Sequence, residues 1–181
     1  MGAHRYGNCW SYRMIFQRKR RINPWVGMAA GLIGGLAGSI AIGKFNHAWA
    51  KATKSKLEEE GTDSTVKAAS AVSEGVLNHQ LTPDEKPTAA AAVHYGFGST
   101  MGALYGAGAA LKPEVGGAAG LPFGAGVYLA AHAAAVPALG WSRPITQNRF
   151  SDEIGELLGH VVYGLVTDLT RRGVIAAYRA I

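Results

Sequence analysis

Three histidines and one glutamate stand in stretches that otherwise carry little charge: His94, His132, His160 and Glu156. Glu156 and His160 are four residues apart, so on a helix they share one face. Tyr95 follows His94 directly, and Tyr163 follows His160 by one helical turn. Imidazole, carboxylate and phenol can do three kinds of work together. Neutral histidines donate hydrogen bonds between helices, worth about 0.6 kcal/mol each on average inside a membrane. Three His and a carboxylate are ligand types of a zinc shell, and two facing His can ligate haem. A His/Glu pair can also carry protons, because imidazole titrates near neutral pH. The metal and haem readings find no local ligand-spacing motif. The proton reading finds no chain of polar residues leading onward, apart from Asp168. Interhelical hydrogen bonding is the reading these residues favour, with no metal, cofactor or catalytic residue expected. No P-loop, HExxH or nucleophile elbow is present, so the chain reads as non-enzymatic.

The elements that must position these groups are rich in glycine. Gly98, Gly102, Gly106 and Ala110 recur every fourth residue behind His94. Gly27, Gly31, Gly35, Ser39 and Gly43 form a similar stripe, with Gly34 and Gly38 as a second one beside it. Gly116, Gly120 and Gly124 continue at the same spacing into Tyr128 and His132, and Gly155 and Gly159 form a further pair. Each such glycine weakens a helix in water by about 1 kcal/mol relative to Ala. In a bilayer the same spacing lets helix backbones approach closely. Gly96-Phe97-Gly98 has no strand before it, so it reads as helix packing and not as a dinucleotide loop.

Composition agrees in part. Gly supplies 25 of 181 residues and charged residues are 17%, against about 25% in ordinary soluble domains. Mean hydropathy is only +0.06, low for a multispan protein, because many apolar residues are Ala and the charges crowd between the apolar windows. The net charge is +6. A basic balance suits nucleic acid or anionic lipid. No stacking platform or groove-reading module is evident, so nucleic acid is not expected as a partner. Cys9 is the single cysteine, which excludes an intrachain disulfide.

Four spans are expected, at about 25–45, 88–111, 115–139 and 154–170, giving an all-α transmembrane bundle over 25–172. Residues 1–24 form a basic leader and 173–181 a short tail. The polar loop 46–87 carries an amphipathic outer helix with Val66, Ala69, Val72, Val76 and Leu77 at helical spacing. Lys54–Glu58 and Lys56–Glu60 give it weak (i, i+4) support. Pro24 should start the first helix. The basic run, the apolar core and Ala48-Trp49-Ala50 also fit a cleaved signal peptide, but the core is long for that, and an uncleaved span is preferred. Thr82-Pro83-Asp84-Glu85 reads as a capping box for the second span. Pro122 should kink the third, and Ser151 should cap the fourth.

Four spans put both termini on one side. Ten basic residues fall on that side, including Arg18-Lys19-Arg20-Arg21, and eight on the other. Both termini are therefore expected in the cytoplasm of a bacterium. His94, His132 and His160 then each lie six or seven residues inside an outer span end, near one depth of roughly 10 Å. With Glu156, Tyr95 and Tyr163 they form a candidate polar belt in the outer third of the bundle.

The chain resembles the YagU-like family of bacterial inner-membrane proteins over about residues 27–172. The likeness rests on Val66-Lys67-Ala68-Ala69, Val93-His94-Tyr95-Gly96-Phe97-Gly98, and Tyr105-Gly106. It continues in Phe123-Gly124, Val136-Pro137-Ala138-Leu139-Gly140, His160-Val161-Val162-Tyr163-Gly164 and Arg171-Arg172. The resemblance implies a multispan inner-membrane protein without an agreed biochemical activity. This chain has His132 and Ala133 where such proteins often carry an acidic pair. The expected function is an accessory, assembly or structural membrane component whose partner is the lipid bilayer. The second stripe on the first span leaves a homo-oligomer or larger membrane complex open. A small proton-linked transporter using the His/Glu belt is the alternative, and a metal or haem protein ranks last.

Overall fold

Asn23-Pro24 starts the first helix by two local devices. The Asn23 side chain accepts a hydrogen bond from the Trp25 amide at 2.9 Å, and Pro24 occupies the first helical position, where no amide is needed. The computed structural model describes residues 22–55 and 57–181. The basic leader up to Arg21 and the two Lys–Glu pairs expected around Lys54–Glu60 lie outside the described residues and side chains. Helix α1 spans Pro24–Thr53. Helix α2 spans Leu57–Val72 and widens into a π-helical turn, Ser73–Leu77. Helix α3 spans Lys86–Leu111. Helix α4 starts at Leu121–Val127 and runs on through a π-helical stretch, Tyr128–Ala135, to Val136–Ala138. Helix α5 spans Phe150–Ala180. The described residues contain no strand. Among the described residues, two stretches, Pro24–Thr53 and Ala118–Ala138, are long and apolar enough to cross a membrane.

Helix α1 lies at the centre, with α3 on one side and α5 on the other. Gly27, Gly31 and Gly35 face Gly106, Gly102 and Gly98 of α3 in antiparallel order. A Cβ on Gly27 would meet the Gly106 carbonyl oxygen at 2.6 Å, and one on Gly102 would meet Gly35 Cα at 2.6 Å. The second α1 stripe is also filled. Gly38 lies against the Tyr163 ring and Gly34 against the Thr167 carbonyl, both on α5. The stripe expected to be spare is therefore covered within the chain, and the sequence argument for a partner there loses its ground. On α5, Gly159 packs against Asn46 and Ile42 of α1, and Gly155 is buried. Gly124 of α4 faces the His160 backbone, and Gly164 of α5 faces Gly124 in return. Helix α5 thus runs antiparallel to both α1 and α4.

Several boundaries differ from the sequence expectation. The third span does not begin at Val115. Residues Pro113–Gly116 form one 3₁₀ turn, and Ala118–Gly120 another. In the second turn Ala118, Ala119 and Gly120 all have positive φ, at 47°, 52° and 78°. Left-handed alanines cost about 1–3 kcal/mol each, so the surroundings must hold them. Gly120 is well chosen here: its φ suits glycine, and a Cβ would meet Asp168 Cβ at 2.8 Å. Pro122 lies in the first turn of α4 and starts the helix, where kinking was expected. Ser151 does not cap α5; the helix begins one residue earlier with Arg149 as its N-cap, and Ser151 Oγ bonds Asp152 instead. Arg171 and Arg172 do not end α5, because both reach back to Asp168 and the helix continues through the residues assigned to the tail.

The capping box forms by half. The Thr82 amide donates to Glu85 Oε2 at 2.8 Å. The Thr82 hydroxyl donates to the same oxygen and does not cap the helix. Helix α3 then starts at Lys86 with Pro87 in its first turn. Helix α2 lies over the outer end of the bundle. Ala68 and Ala69 are buried, and Lys67 Nζ donates to the Trp141 carbonyl at 3.2 Å.

Candidate functional site

The outer polar cluster begins with helix geometry. An α-helix has 3.6 residues per turn, so residues spaced by four drift steadily around it. Tyr128 and His132 lie in the π-helical stretch, whose wider i→i+5 turn offsets that drift. Their rings stack at 5.3 Å between centroids. Helix α5 presents Glu153, Glu156 and His160 to the same place. Tyr128 OH donates to Glu153 Oε2 at 2.7 Å, and Asn148 Nδ2 donates to Oε1 at 2.6 Å. His132 Nε2 lies 3.5 Å from Glu153 Oε2, and the atom is buried without a hydrogen bond. The His132 and His160 rings are 6.0 Å apart. His160 Nδ1 donates to the Glu156 carbonyl at 2.8 Å, one turn earlier on its own helix. A carbonyl only accepts, so this bond puts a proton on Nδ1 and leaves Nε2 as the free-electron-pair nitrogen of the neutral ring. The Glu156 carboxylate stands 3.6 Å from Nδ1.

His132, His160 and Glu156 are thus brought together. Tyr95 and Tyr163 are not. Helix α1 serves as a common ruler: His94 Nε2 donates to the Ser39 carbonyl at 3.1 Å, while Gly159 packs on Ile42 and Asn46. His94 and His160 therefore lie within about one turn of each other in height, on the two flanks of α1. Tyr95 is 40% exposed on the outside of the bundle. Tyr163 is buried deeper, and its hydroxyl donates to the Gly98 carbonyl at 2.6 Å. Glu153 was legible only as a first-turn acid favoured by the helix dipole. Nothing local in sequence announces that α4 would deliver Tyr128 and His132 to it. No group of three or more His, Cys, Asp or Glu placed to hold a metal occurs among the described residues.

An aromatic layer lies below the cluster. Tyr105 stacks on Phe123 at 4.3 Å, and Phe123 leans on Tyr163 at 5.7 Å. Beneath it Asp168 is completely buried. Arg171 donates to Asp168 Oδ1 from Nε at 3.0 Å and from Nη2 at 2.5 Å. Arg172 Nε donates to Oδ2 at 2.6 Å, and its Nη2 donates to the Gly116 carbonyl at 2.6 Å. The Arg171 guanidinium also sits 5.5 Å over the Tyr105 ring. Through Gly116 this network fastens α5 to the first of the two turns that precede α4. Its sequence signal was the spacing Asp168, Arg171, Arg172, which is (i, i+3) and (i, i+4) on one helix.

Comparison with known proteins gives one family match, without an assigned activity. No curated protein and no solved structure matches it. Residues 71–169 match the family described as a protein of unknown function, DUF1440. That stretch carries the end of α2, all of α3 and α4, and α5 as far as Leu169, so it holds the outer cluster and Asp168. It is more than half of the 181 residues, and the chain belongs to the DUF1440 family.

Proposed function

We propose that the chain is a multispan bacterial inner-membrane protein of the YagU-like kind, with α1, α3, α4 and α5 all crossing the bilayer. It acts as a non-enzymatic accessory, assembly or structural component packed through its glycine ladders, with both termini in the cytoplasm. One observation carries this reading: the bundle buries polar side chains among small residues and exposes large apolar ones around its perimeter. Among the described residues, the largest fully buried side chains are Thr167, Asp168 and Ser39. Its perimeter exposes Leu32, Ile33 and Leu36 on α1, Leu104 on α3, Leu129 on α4, and Leu158 and Leu169 on α5. A soluble bundle buries such residues, whereas lipid accepts them. The alternating helix directions also support four crossings.

The test uses the natural Cys9 as a label for the terminal side and a Cys9→Ser/Ser142→Cys variant for the outer side. A membrane-impermeant maleimide added to intact spheroplasts should modify the second protein and spare the first until the membrane is opened. Modification of both from one side would remove the four-span topology.

The outer cluster favours a second reading, a proton-linked transporter with His132, His160, Glu153 and Glu156 at its mouth. The aromatic layer of Tyr105, Phe123 and Tyr163 stands between this mouth and Asp168, so the first reading is preferred. Proteoliposomes decide the matter: purified protein should leave an imposed pH gradient undisturbed. A gradient that collapses with the wild type and survives with Glu156→Gln would reverse the preference.

A further inference from the structure

Helices α3 and α4 touch through Tyr105 and Phe123 and then part toward the outer end. The space between them is an open groove of about 400 Å³. Phe97 and Met101 form one wall; Phe123, Gly126, Ala131 and Ala135 form the other. The floor is the core cluster of Val127, Tyr163 and Ile42, against which Met101, Phe123 and Ala131 pack. Every side chain lining the groove is apolar, and the α4 wall is made of small residues. The groove lies on the same perimeter as exposed Phe97 and Leu104.

Helix α2 packs on α3 and reaches the chain beyond α4, where Ser64 and Lys67 both donate to the Trp141 carbonyl. Trp141 folds back so that its amide bonds the Val136 carbonyl at 3.0 Å, next to groove-lining Ala135. Lys67 donates to the carbonyl of that same Trp141. An exposed ammonium, bonded here to a neutral carbonyl, therefore stands at the outer end of an apolar channel that opens sideways.

We propose that this groove holds one acyl chain of a membrane phospholipid, with the lipid phosphate at Lys67. The inference rests on the membrane reading above. The groove supplies what an acyl chain needs: an apolar wall, no polar group to desolvate, and a lateral opening. Lys67 supplies the charge, placed where a snorkelling cation meets headgroups. An anionic headgroup gains more from it than a zwitterionic one.

The test is native mass spectrometry of delipidated protein in mild detergent, titrated with phosphatidylglycerol or phosphatidylcholine. The wild type should take one phosphatidylglycerol adduct at the lowest concentrations and hold phosphatidylcholine about fivefold more weakly. A Cβ on Gly126 meets nothing within 4 Å and Gly126 lines the groove, so Gly126→Leu adds bulk at its wall; it should lose that adduct. Gly43 also meets nothing within 4 Å and lies on α1, away from the groove, so Gly43→Leu should keep it. Lys67→Gln should abolish the preference between the two lipids without touching the fold. Equal adducts on Gly126→Leu and the wild type, or no preference in the wild type, would overturn the site. A wild type that is soluble without detergent would instead overturn the membrane reading, and the lipid site with it.

Discussion

Asp168 receives three guanidinium N–H bonds and is completely buried. Removing its charge leaves Arg171, whose side chain is 10% exposed, without its counter-ion. Breaking a buried pair from one side costs about 3–5 kcal/mol, so Asp168→Asn should lower the thermal midpoint of the detergent-solubilised protein sharply. Arg172 is 52% exposed on its side chain, and Arg172→Lys keeps its charge, so its loss should be clearly smaller. Equal midpoints for Asp168→Asn and the wild type would show the network to be idle. Glu85 makes a different residue-scale prediction. Bonds from the Thr82 amide, His79 and the Thr82 hydroxyl hold its carboxyl down at about 2, against 4.5 ordinarily. The sign follows: its contribution to the α3 start is fully present above pH 4.5 and is lost as pH falls toward 2. Hydrogen exchange at the Thr82 amide, compared with Glu85→Gln, should show a protection difference at pH 5 that vanishes near pH 2. A difference that persists at pH 2 would refute the assignment.

At the scale of elements, the glycines divide into two kinds that can be told apart by substitution. Gly102 meets backbone: a Cβ there would lie 2.6 Å from Gly35 Cα and 2.7 Å from Gly35 N. Backbone cannot yield as a flexible side chain can, so Gly102→Val must separate α1 from α3. The cost should exceed the usual overpacking penalty of about 1–3 kcal/mol. Gly43 meets nothing, and Gly43→Ala should raise stability by up to about 1 kcal/mol through helix propensity. Thermal melts of both variants check the contrast, and similar midpoints would show that the seam is loose. The four-residue spacing of Gly27, Gly31, Gly35 and of Gly98, Gly102, Gly106 made these faces readable in sequence. The π-helical stretch was not readable, because Tyr-Leu-Ala-Ala-His carries no glycine or proline to mark a change of helical pitch. The left-handed turn was hidden for a similar reason: Ala118 and Ala119 are good helix formers, and only tertiary contacts hold them at positive φ. Pro122 was misread because its role depends on that turn; once the chain restarts at Leu121, proline falls at a helix beginning.

For the whole molecule, the question is whether α3 and α5 share the bilayer with α1 and α4. Among the described residues, length and apolarity single out Pro24–Thr53 and Ala118–Ala138. Packing argues for more. Helix α1 touches α3 and α5 backbone to backbone along two stripes, so it cannot enter lipid with those stripes bare and still hold this fold. Helices α3 and α5 are less apolar because their small residues are Ala and Gly and because α5 carries Asp168, Arg171 and Arg172; Asp168 and Arg171 pair inside the bundle, and Arg172 reaches Asp168 from a half-exposed position. Leu104 offers a decisive probe. It is 59% exposed on α3 and lies two residues from Gly102, which packs between Gly31 and Gly35 near the middle of α1. If α3 faces water, Leu104→Lys is a surface change worth no more than about 0.5 kcal/mol. If α3 faces lipid there, a lysine near mid-bilayer costs about 2.5–3.5 kcal/mol on the insertion scale. The four-span reading therefore predicts that Leu104→Lys, and Leu158→Lys on α5, will reduce the membrane-inserted fraction several-fold. Glu74→Gln, on the exposed turn after α2, should leave that fraction unchanged. Carbonate extraction followed by quantitative blotting measures it, and wild-type insertion of both leucine variants would confine the bilayer to α1 and α4.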